Sequence, residues 1–329
     1  MIMLLLGACA RNTSDQPGQA AGQTGEPPES PAAAAQTRSV KHLRGTTDIP
    51  SDPQRIVSIN LEDMLLALDV PLVLATPIDR QDYLNAELQK RGVKLAPFGE
   101  SVNMEAVLEA NPDLIIATGV LDDAVYEQLN KIAPTIAYSR SDWRTSIVQI
   151  GQALGIEAKA KEVVEAHEQK IAAAKTEIAG LIGSEPKTAF LRMQEKDLRL
   201  FFPSVPADPN PYAGYVSIAY KGLGFAADPY VLELQQQNPK RQNAPVSLEV
   251  LPRLTADYLF VIALGSDGSD EALQKTLDEL EAMKQSGVWK SIPAVKQDRV
   301  YVLNMKNWLV EGPHAESLKI NELLQVLKS

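Results

Sequence analysis

IEAKAKEVVEAHEQKIAAAKTEIAGLIG, residues 156–183, is the stretch on which the fold turns. Ile156, Ala160, Val163, His167, Ile171, Ala174, Ile178 and Leu181 recur at steps of four and three. That spacing draws one apolar stripe along a helix of about seven turns. At 1.5 Å per residue the rod is about 40 Å long, the span of a small domain. Gly151, Gly155, Gly180 and Gly183 flank it. A rod of this length reads as a connector between two units and not as part of either core. His167 falls on the stripe and reads as a packed core histidine.

On the amino-terminal side of the rod, short Val/Ile/Leu runs alternate with amphipathic segments. Strands are expected at 55–60, 72–75, 114–118 and 135–138, and helices at 62–68, 82–91, 104–110, 124–132 and 143–154. This alternation means a mainly parallel sheet with helices on both faces. A second unit follows the rod. Residues 188–193 and 198–202 read as a strand pair about a Lys196-Asp197 turn. Helices are expected at 215–221, 230–236, 248–251, 271–283 and 315–327, and strands at 258–262 and 300–303. The fold class is therefore α/β: two α/β lobes joined by a single long backbone helix, with a ligand cleft between the lobes.

The two units share a segment. Met104-Glu105-Ala106-Val107-Leu108 runs to Asp113-Leu114-Ile115-Ile116, and Leu248-Glu249-Val250-Leu251 runs to Asp257-Tyr258-Leu259-Phe260. In both, a glutamate opens a short helix and an aspartate eight residues later precedes a buried strand. Equivalent placement in two units suggests pseudo-symmetric lobes. Each glutamate also suits the positive end of its helix, which by itself accounts for an acid there.

The 329 residues carry 32 basic and 42 acidic side chains, a net charge of -10. An acidic chain lacks the basic surface that displaces counterions from a phosphate backbone, so nucleic acid is not a partner. A single cysteine forms no internal disulfide, and the three histidines show no metal-motif spacing. No GxSxG elbow, phosphate-binding loop or Gly-rich dinucleotide turn is present, and Gly222-Leu223-Gly224 is too short to serve as one. An enzyme is not expected.

Met1-Ile2-Met3-Leu4-Leu5-Leu6-Gly7-Ala8-Cys9 is a short apolar run that ends in small residues and the only cysteine. It resembles the end of a bacterial lipoprotein signal peptide, cut before Cys9 with the thiol then lipidated. No Lys or Arg precedes the run, so residues 1–9 read as a truncated leader whose true start lies upstream. Residues 10–39, rich in Gln, Ala, Gly, Pro, Ser and Thr, cannot bury enough apolar surface to offset their ordering entropy and read as a flexible tether. The remaining boundaries are 40–155 for the first lobe, 156–184 for the connecting helix and 185–329 for the second lobe. The expected location is the extracellular face of the cell membrane, or the periplasmic side where there are two membranes, held by the lipid alone.

The order and spacing of several segments resemble the class III substrate-binding proteins of ABC importers, which bind ferric siderophores, haem and cobalamin. The likeness runs over about residues 52–329. It includes Pro53-Gln54-Arg55-Ile56-Val57-Ser58, Asn103-Met104-Glu105, Ile132-Ala133-Pro134-Thr135, Ser247-Leu248-Glu249-Val250-Leu251, Gly287-Val288-Trp289-Lys290, Asp298-Arg299-Val300-Tyr301, and Trp308 followed by Gly312-Pro313. The resemblance implies a shallow cleft, modest closure, and one glutamate per lobe docking into arginine pockets of a dimeric permease with its ATPase. Glu105 and Glu249 match those positions. It also implies a monomer that holds a ferric siderophore whose iron is already saturated by the chelator, so that no cofactor or protein metal ligand is needed.

Such a ligand asks for aromatic walls and a few donors on the loops after strands. Those are Arg80, Arg140 and Trp143 in the first lobe, and Arg192, Arg199, Tyr212, Trp308 and His314 in the second. Arginine suits the task because its planar fork gives two hydrogen bonds to one oxyanion group. Arg192 and Arg199 are seven residues apart, an odd spacing that puts them on opposite faces unless the turn resets parity. In relatives for anionic ligands a basic residue often precedes the Asn-x-Glu segment. Here Glu100-Ser101-Val102 stands there, and Pro203 to Pro211, with four prolines, looks extended. Both depart from the family pattern at the ligand side, and a hydroxamate or citrate-type siderophore is expected ahead of a triply charged catecholate complex. A cobalamin or haem carrier of the same fold, and a surface sensor that presents its ligand, are the alternatives.

Overall fold

The computed structural model describes residues 36–76, 82–96, 101–195, 197–265 and 269–329. The leader, Cys9 and all of the tether up to Ala35 lie outside the described residues.

The first lobe contains β1 (Thr37–His42), β2 (Gly45–Pro50), β3 (Ile56–Ile59), α1 (Glu62–Ala67), β4 (Leu72–Ala75), α2 (Asp82–Lys90) and β5 (Lys94–Leu95). It continues with α3 (Met104–Glu109), β6 (Leu114–Thr118), α4 (Asp123–Ile132), β7 (Thr135–Tyr138) and α5 (Trp143–Leu154). Strands β5-β4-β3-β6-β7 lie side by side in that order and every pair is parallel. Strands β3, β6 and β7 are buried along their whole length, which is why they read as unbroken apolar runs.

The β1–β2 hairpin is absent from the sequence reading. Its first strand starts inside the stretch taken as tether, and only Val40 and Ile49 of the pair enter the core. The hairpin lies beside β7. The Leu43 N–H donates to Ala137 O at 3.1 Å, and His42 Nδ1 accepts from the Ala137 N–H at 3.2 Å. It thereby covers a strand edge that would otherwise offer unpaired backbone groups.

The rod is α6 (Glu157–Ile182), 26 residues long. It is more than a connector, because its stripe completes both cores. Ala160 packs with Trp143, Ile147 and Ile150 of the first lobe. Ile171, Ala174 and Ile178 pack with Phe190, Phe260 and Trp308 of the second. His167 is buried between the two groups.

The second lobe contains β8 (Lys187–Gln194), β9 (Asp197–Phe201), a π-helical turn at Ile218–Gly222, β10 (Ala226–Ala227), α7 (Pro229–Gln237) and β11 (Asn243–Val246). A 3-10 helix at Leu248–Arg253 leads to β12 (Tyr258–Ala263), α8 (Asp270–Lys284), α9 (Gly287–Ser291) and α10 (Pro293–Lys296). Then come β13 (Val300–Asn304), α11 (Met305–Trp308) and α12 (Pro313–Lys328). The sheet order is β11-β9-β8-β12-β13, with the short β10 pairing the start of β8. The β8–β12–β13 part is parallel, and β9 and β11 run antiparallel. Of residues 215–221, expected to be one α-helix, Ile218 onward form the π-turn and Tyr215 and Val216 form a turn before it. Gly214 precedes it at φ +124°, and the Ser217 hydroxyl bonds back to Gly214 O at 2.6 Å.

Candidate functional site

The loops after β7, β9 and α11 meet across one crevice. The loop after β7 carries Arg140, whose Nε donates to Glu311 Oε2 at 3.0 Å, and Glu311 stands in the loop after α11. A second Arg140 nitrogen donates to Asn60 Oδ1 at 3.0 Å. Asn60 ends β3 in the left-handed region at φ 58°. From the second lobe, Asn210 Nδ2 donates to Ser141 O at 2.8 Å. Around that contact lies a hollow of about 390 Å3, lined by Ser139, Asp142 and Thr145 on one side and by Asp208, Asn210 and Pro211 on the other. Segments 77–81, 97–100 and 266–268, which follow β4, β5 and β12, lie outside the described residues, and Arg80 with them.

The seam beside this crevice is held by buried carboxylates. Asp63 of α1 caps α12: its Oδ1 accepts from the His314 N–H at 2.9 Å and its Oδ2 from the Ala315 N–H at 2.9 Å. The Tyr83 hydroxyl donates to Oδ2 at 2.7 Å. A negative charge there also meets the positive end of the helix. Gly312 makes the approach possible. It sits at φ +131°, and a Cβ on it would stand 2.4 Å from Asp63 Cγ. One turn further, Glu316 accepts from Trp143 Nε1 at 2.9 Å, from two Arg144 nitrogens at 3.0 and 2.8 Å, and lies 2.8 Å from His167 Nε2. Burial alone would raise its pKa, but the His167 bond and the Arg144 charge override it and bring it down to about 2. Lys319, one turn on again, donates to Tyr215 O at 2.9 Å, and burial lowers it to about 8.

Glu62 shows the opposite case. Its Oε1 accepts from Ser58 Oγ at 3.1 Å and from the Asn60 and Thr76 N–H groups at 3.0 and 3.1 Å. It thereby ties together the ends of β3 and β4. Its Oε2 is buried with no partner among the described residues. Burial raises its pKa to about 7, against the hydrogen bonds that lower it.

The sequence-derived candidates fall into three groups. Trp143 and Trp308 are corrections. Trp143 is 1% exposed in the first-lobe core, with its ring edge-on to His167 at 5.0 Å. Trp308 is 0% exposed, 5.2 Å from Phe190, and its indole N–H donates to Glu322 at 2.9 Å. The stretch read as a polar loop is the short helix α11, which turns Trp308 inward. Neither ring walls the crevice.

Arg192 and Arg199 come together. They are directly opposite each other across the β8–β9 hairpin. Residues facing each other across an antiparallel pair share a face whatever their spacing in the chain, so the parity argument does not separate them. Asp197 bridges the two. It pairs with Arg192, and with Arg199 Nε at 2.9 Å. Asp197 was missed because the sequence reading put it in a turn.

Arg140 lies in the crevice as described. Tyr212 lies half-buried beneath Arg144, whose guanidinium carbon is 4.1 Å from the ring centroid. His314 Nδ1 is 3.0 Å from Asp63 Oδ1, and that bond raises its pKa. Glu105 and Glu249 are exposed, each in the first turn of its helix. Hydrogen bonding from Ser247 lowers the Glu249 pKa.

No helix among the described residues is long and apolar enough to cross a membrane. Nor do the described residues contain a group of His, Cys, Asp and Glu that could hold a metal ion.

Comparison with known proteins agrees with this architecture. Iron(3+)-hydroxamate-binding protein YxeB of Bacillus subtilis is 26% identical over 330 residues, 99% of this chain and 94% of that one. Probable siderophore-binding lipoprotein YfiY of the same organism is 27% identical over 95% of this chain and 90% of its own length. The crystal structure of Staphylococcus aureus SirA complexed with staphyloferrin B superposes with a TM-score of 0.71 at 25% identity, covering 89% of this chain and 99% of that one. The profile described as periplasmic binding protein matches residues 63–306. With two α/β lobes on one backbone helix and a profile match over most of its length, the chain belongs to the periplasmic binding protein family.

Proposed function

We propose that the chain is an extracytoplasmic lipoprotein that captures a ferric siderophore, of hydroxamate or citrate type, and delivers it to an ABC importer. The observation that carries this reading is the match along nearly the whole of both chains to a protein named for iron(3+)-hydroxamate binding. The geometry supports it. Arg192 and Arg199 share a face, Arg140 stands at the mouth of the crevice, and Tyr212 adds an aromatic wall. A guanidinium has five donors, so an arginine held by one carboxylate can still turn N–H groups to a chelate oxygen. His314 and Arg80 complete the proposed contact set. The siderophore holds the iron and the protein binds it without turnover, as a monomer. Glu105 and Glu249 dock on the two halves of the permease with its ATPase, and Cys9 carries the lipid.

Calorimetric titration with a ferric hydroxamate, ferric citrate, haem and cobalamin tests the reading. One of the two ferric chelates binds, and Arg192→Ala with Arg199→Ala weakens it at least about tenfold through lost charge-assisted bonds. Binding of cobalamin or haem with neither ferric chelate bound would overturn it. Cys9→Ala releases the protein into the medium, and a variant that stays with the membrane refutes the anchor.

A further inference from the structure

The second lobe has a hollow of about 410 Å3 apart from the crevice, beside the helix that carries Glu249. Its walls are Met193, Leu198, Leu248 and Met283, and its rim carries Glu195 and Glu279. Three elements build it. The β8–β9 hairpin supplies Met193, Glu195 and Leu198, α8 supplies Glu279 and Met283 one turn apart on one face, and the 3-10 helix supplies Leu248 next to Glu249. Glu279 Oε2 is buried there and has no hydrogen-bond partner among the described residues. Glu195 meets Lys275 at 3.4 Å, in an ion pair exposed on both sides.

An apolar floor beneath a carboxylate rim selects its occupant. An anion is repelled, and a neutral apolar group leaves the buried Glu279 oxygen without a donor. A side chain with an aliphatic stem and a cationic tip satisfies both parts, and arginine adds a fork that meets a carboxylate with two bonds. We propose that this hollow receives an arginine from the membrane permease, beside the basic side chain that Glu249 meets. The inference rests on reading Glu249 as a docking residue. The first lobe offers a different shape at the matching place: Leu108, one turn from Glu105, projects and is 64% exposed. One lobe thus presents a projection and the other a recess, and the docked pair has a preferred orientation about its pseudo-two-fold axis.

The test uses the full chain, without added ligand, titrated onto its permease and ATPase in lipid nanodiscs. Ala282→Trp fills the hollow from an exposed helix position, and Glu279→Gln removes the charge while keeping the shape. Each weakens docking about tenfold, and Glu279→Gln also flattens its salt dependence, while melting temperature and ferric-chelate affinity stay as in the unaltered chain. Glu249→Ala weakens docking as well. If Glu249→Ala has its effect and both hollow variants dock normally, the hollow is not a docking pocket and the Glu249 reading stands. If Glu249→Ala also docks normally, the docking reading falls and takes the hollow with it. Altered self-association with normal docking would assign the hollow to a second copy of this chain. Should one variant fail to fold, the other decides.

Discussion

Glu62 and Glu316 are both buried glutamates close to the seam between the lobes, and their surroundings drive them in opposite directions. Glu316 gathers Arg144, His167 and the Trp143 N–H, and its pKa falls to about 2. Among the described residues Glu62 gathers one hydroxyl and two backbone N–H groups but no cation, and burial raises its pKa to about 7. Neutral donors to a single oxygen do not compensate a dry carboxylate, whereas a converging guanidinium and imidazole do. Glu316 therefore favours the folded state above the ordinary glutamate range, a contribution lost as pH falls from about 4.5 to about 2. Glu62 works the other way. Its folded form holds the proton more tightly, so its contribution fades as pH rises from about 4.5 through about 7. Each shift is worth about 3 kcal/mol at its full extent.

The largest expected effect comes from breaking the Glu316 side. Glu316→Gln removes the buried carboxylate from Arg144, which keeps only the more exposed Glu168, and from the His167 bond, and costs about 3 kcal/mol in urea unfolding at pH 7. A loss below about 1 kcal/mol would mean that the cluster does not hold the lobes. Next is the Glu62 side. Glu62→Gln gains about 2 kcal/mol at pH 8 and almost nothing at pH 4.5, and equal changes at both pH values would contradict a raised pKa. Trp143→Phe keeps an aromatic ring but removes the N–H donor from Glu316, a lost bond of about 1.5 kcal/mol. NMR titration should then find the Glu316 carboxyl higher than before, and an unmoved value would remove the indole from the account. The last is Asp63→Asn, which removes the charge at the α12 terminus and sets its amide N–H2 against one of the two capped N–H groups, at about 1–2 kcal/mol. A loss unchanged by added salt would argue against a charge-dipole contribution.

The architecture was legible where periodicity and burial coincide. Leu72–Ala75, Leu114–Thr118, Thr135–Tyr138 and Trp143–Leu154 are read from the sequence with the bounds the structure gives them. Buried parallel strands and amphipathic helices write their boundaries in apolar residues. The β1–β2 hairpin was not legible, because it contributes one core residue per strand. Strand β11 was hidden by Pro245, which a strand tolerates only at an edge, where β11 lies.

The candidate site was less legible for a different reason. A tryptophan among polar residues looks exposed in sequence, yet Trp143 and Trp308 each bury their ring and pass the indole N–H to a distant glutamate. Glu316 lies 173 residues from Trp143, and Asp63 lies 252 from Ala315. No local pattern announces such partners. The arginine pair was found, but its shared face follows from the strand pairing and not from spacing along the chain.

The backbone helix has its own bearing on traffic through the importer. Because α6 is rooted in the interior of both halves, a wide hinge swing would have to tear side chains out of one interior or the other.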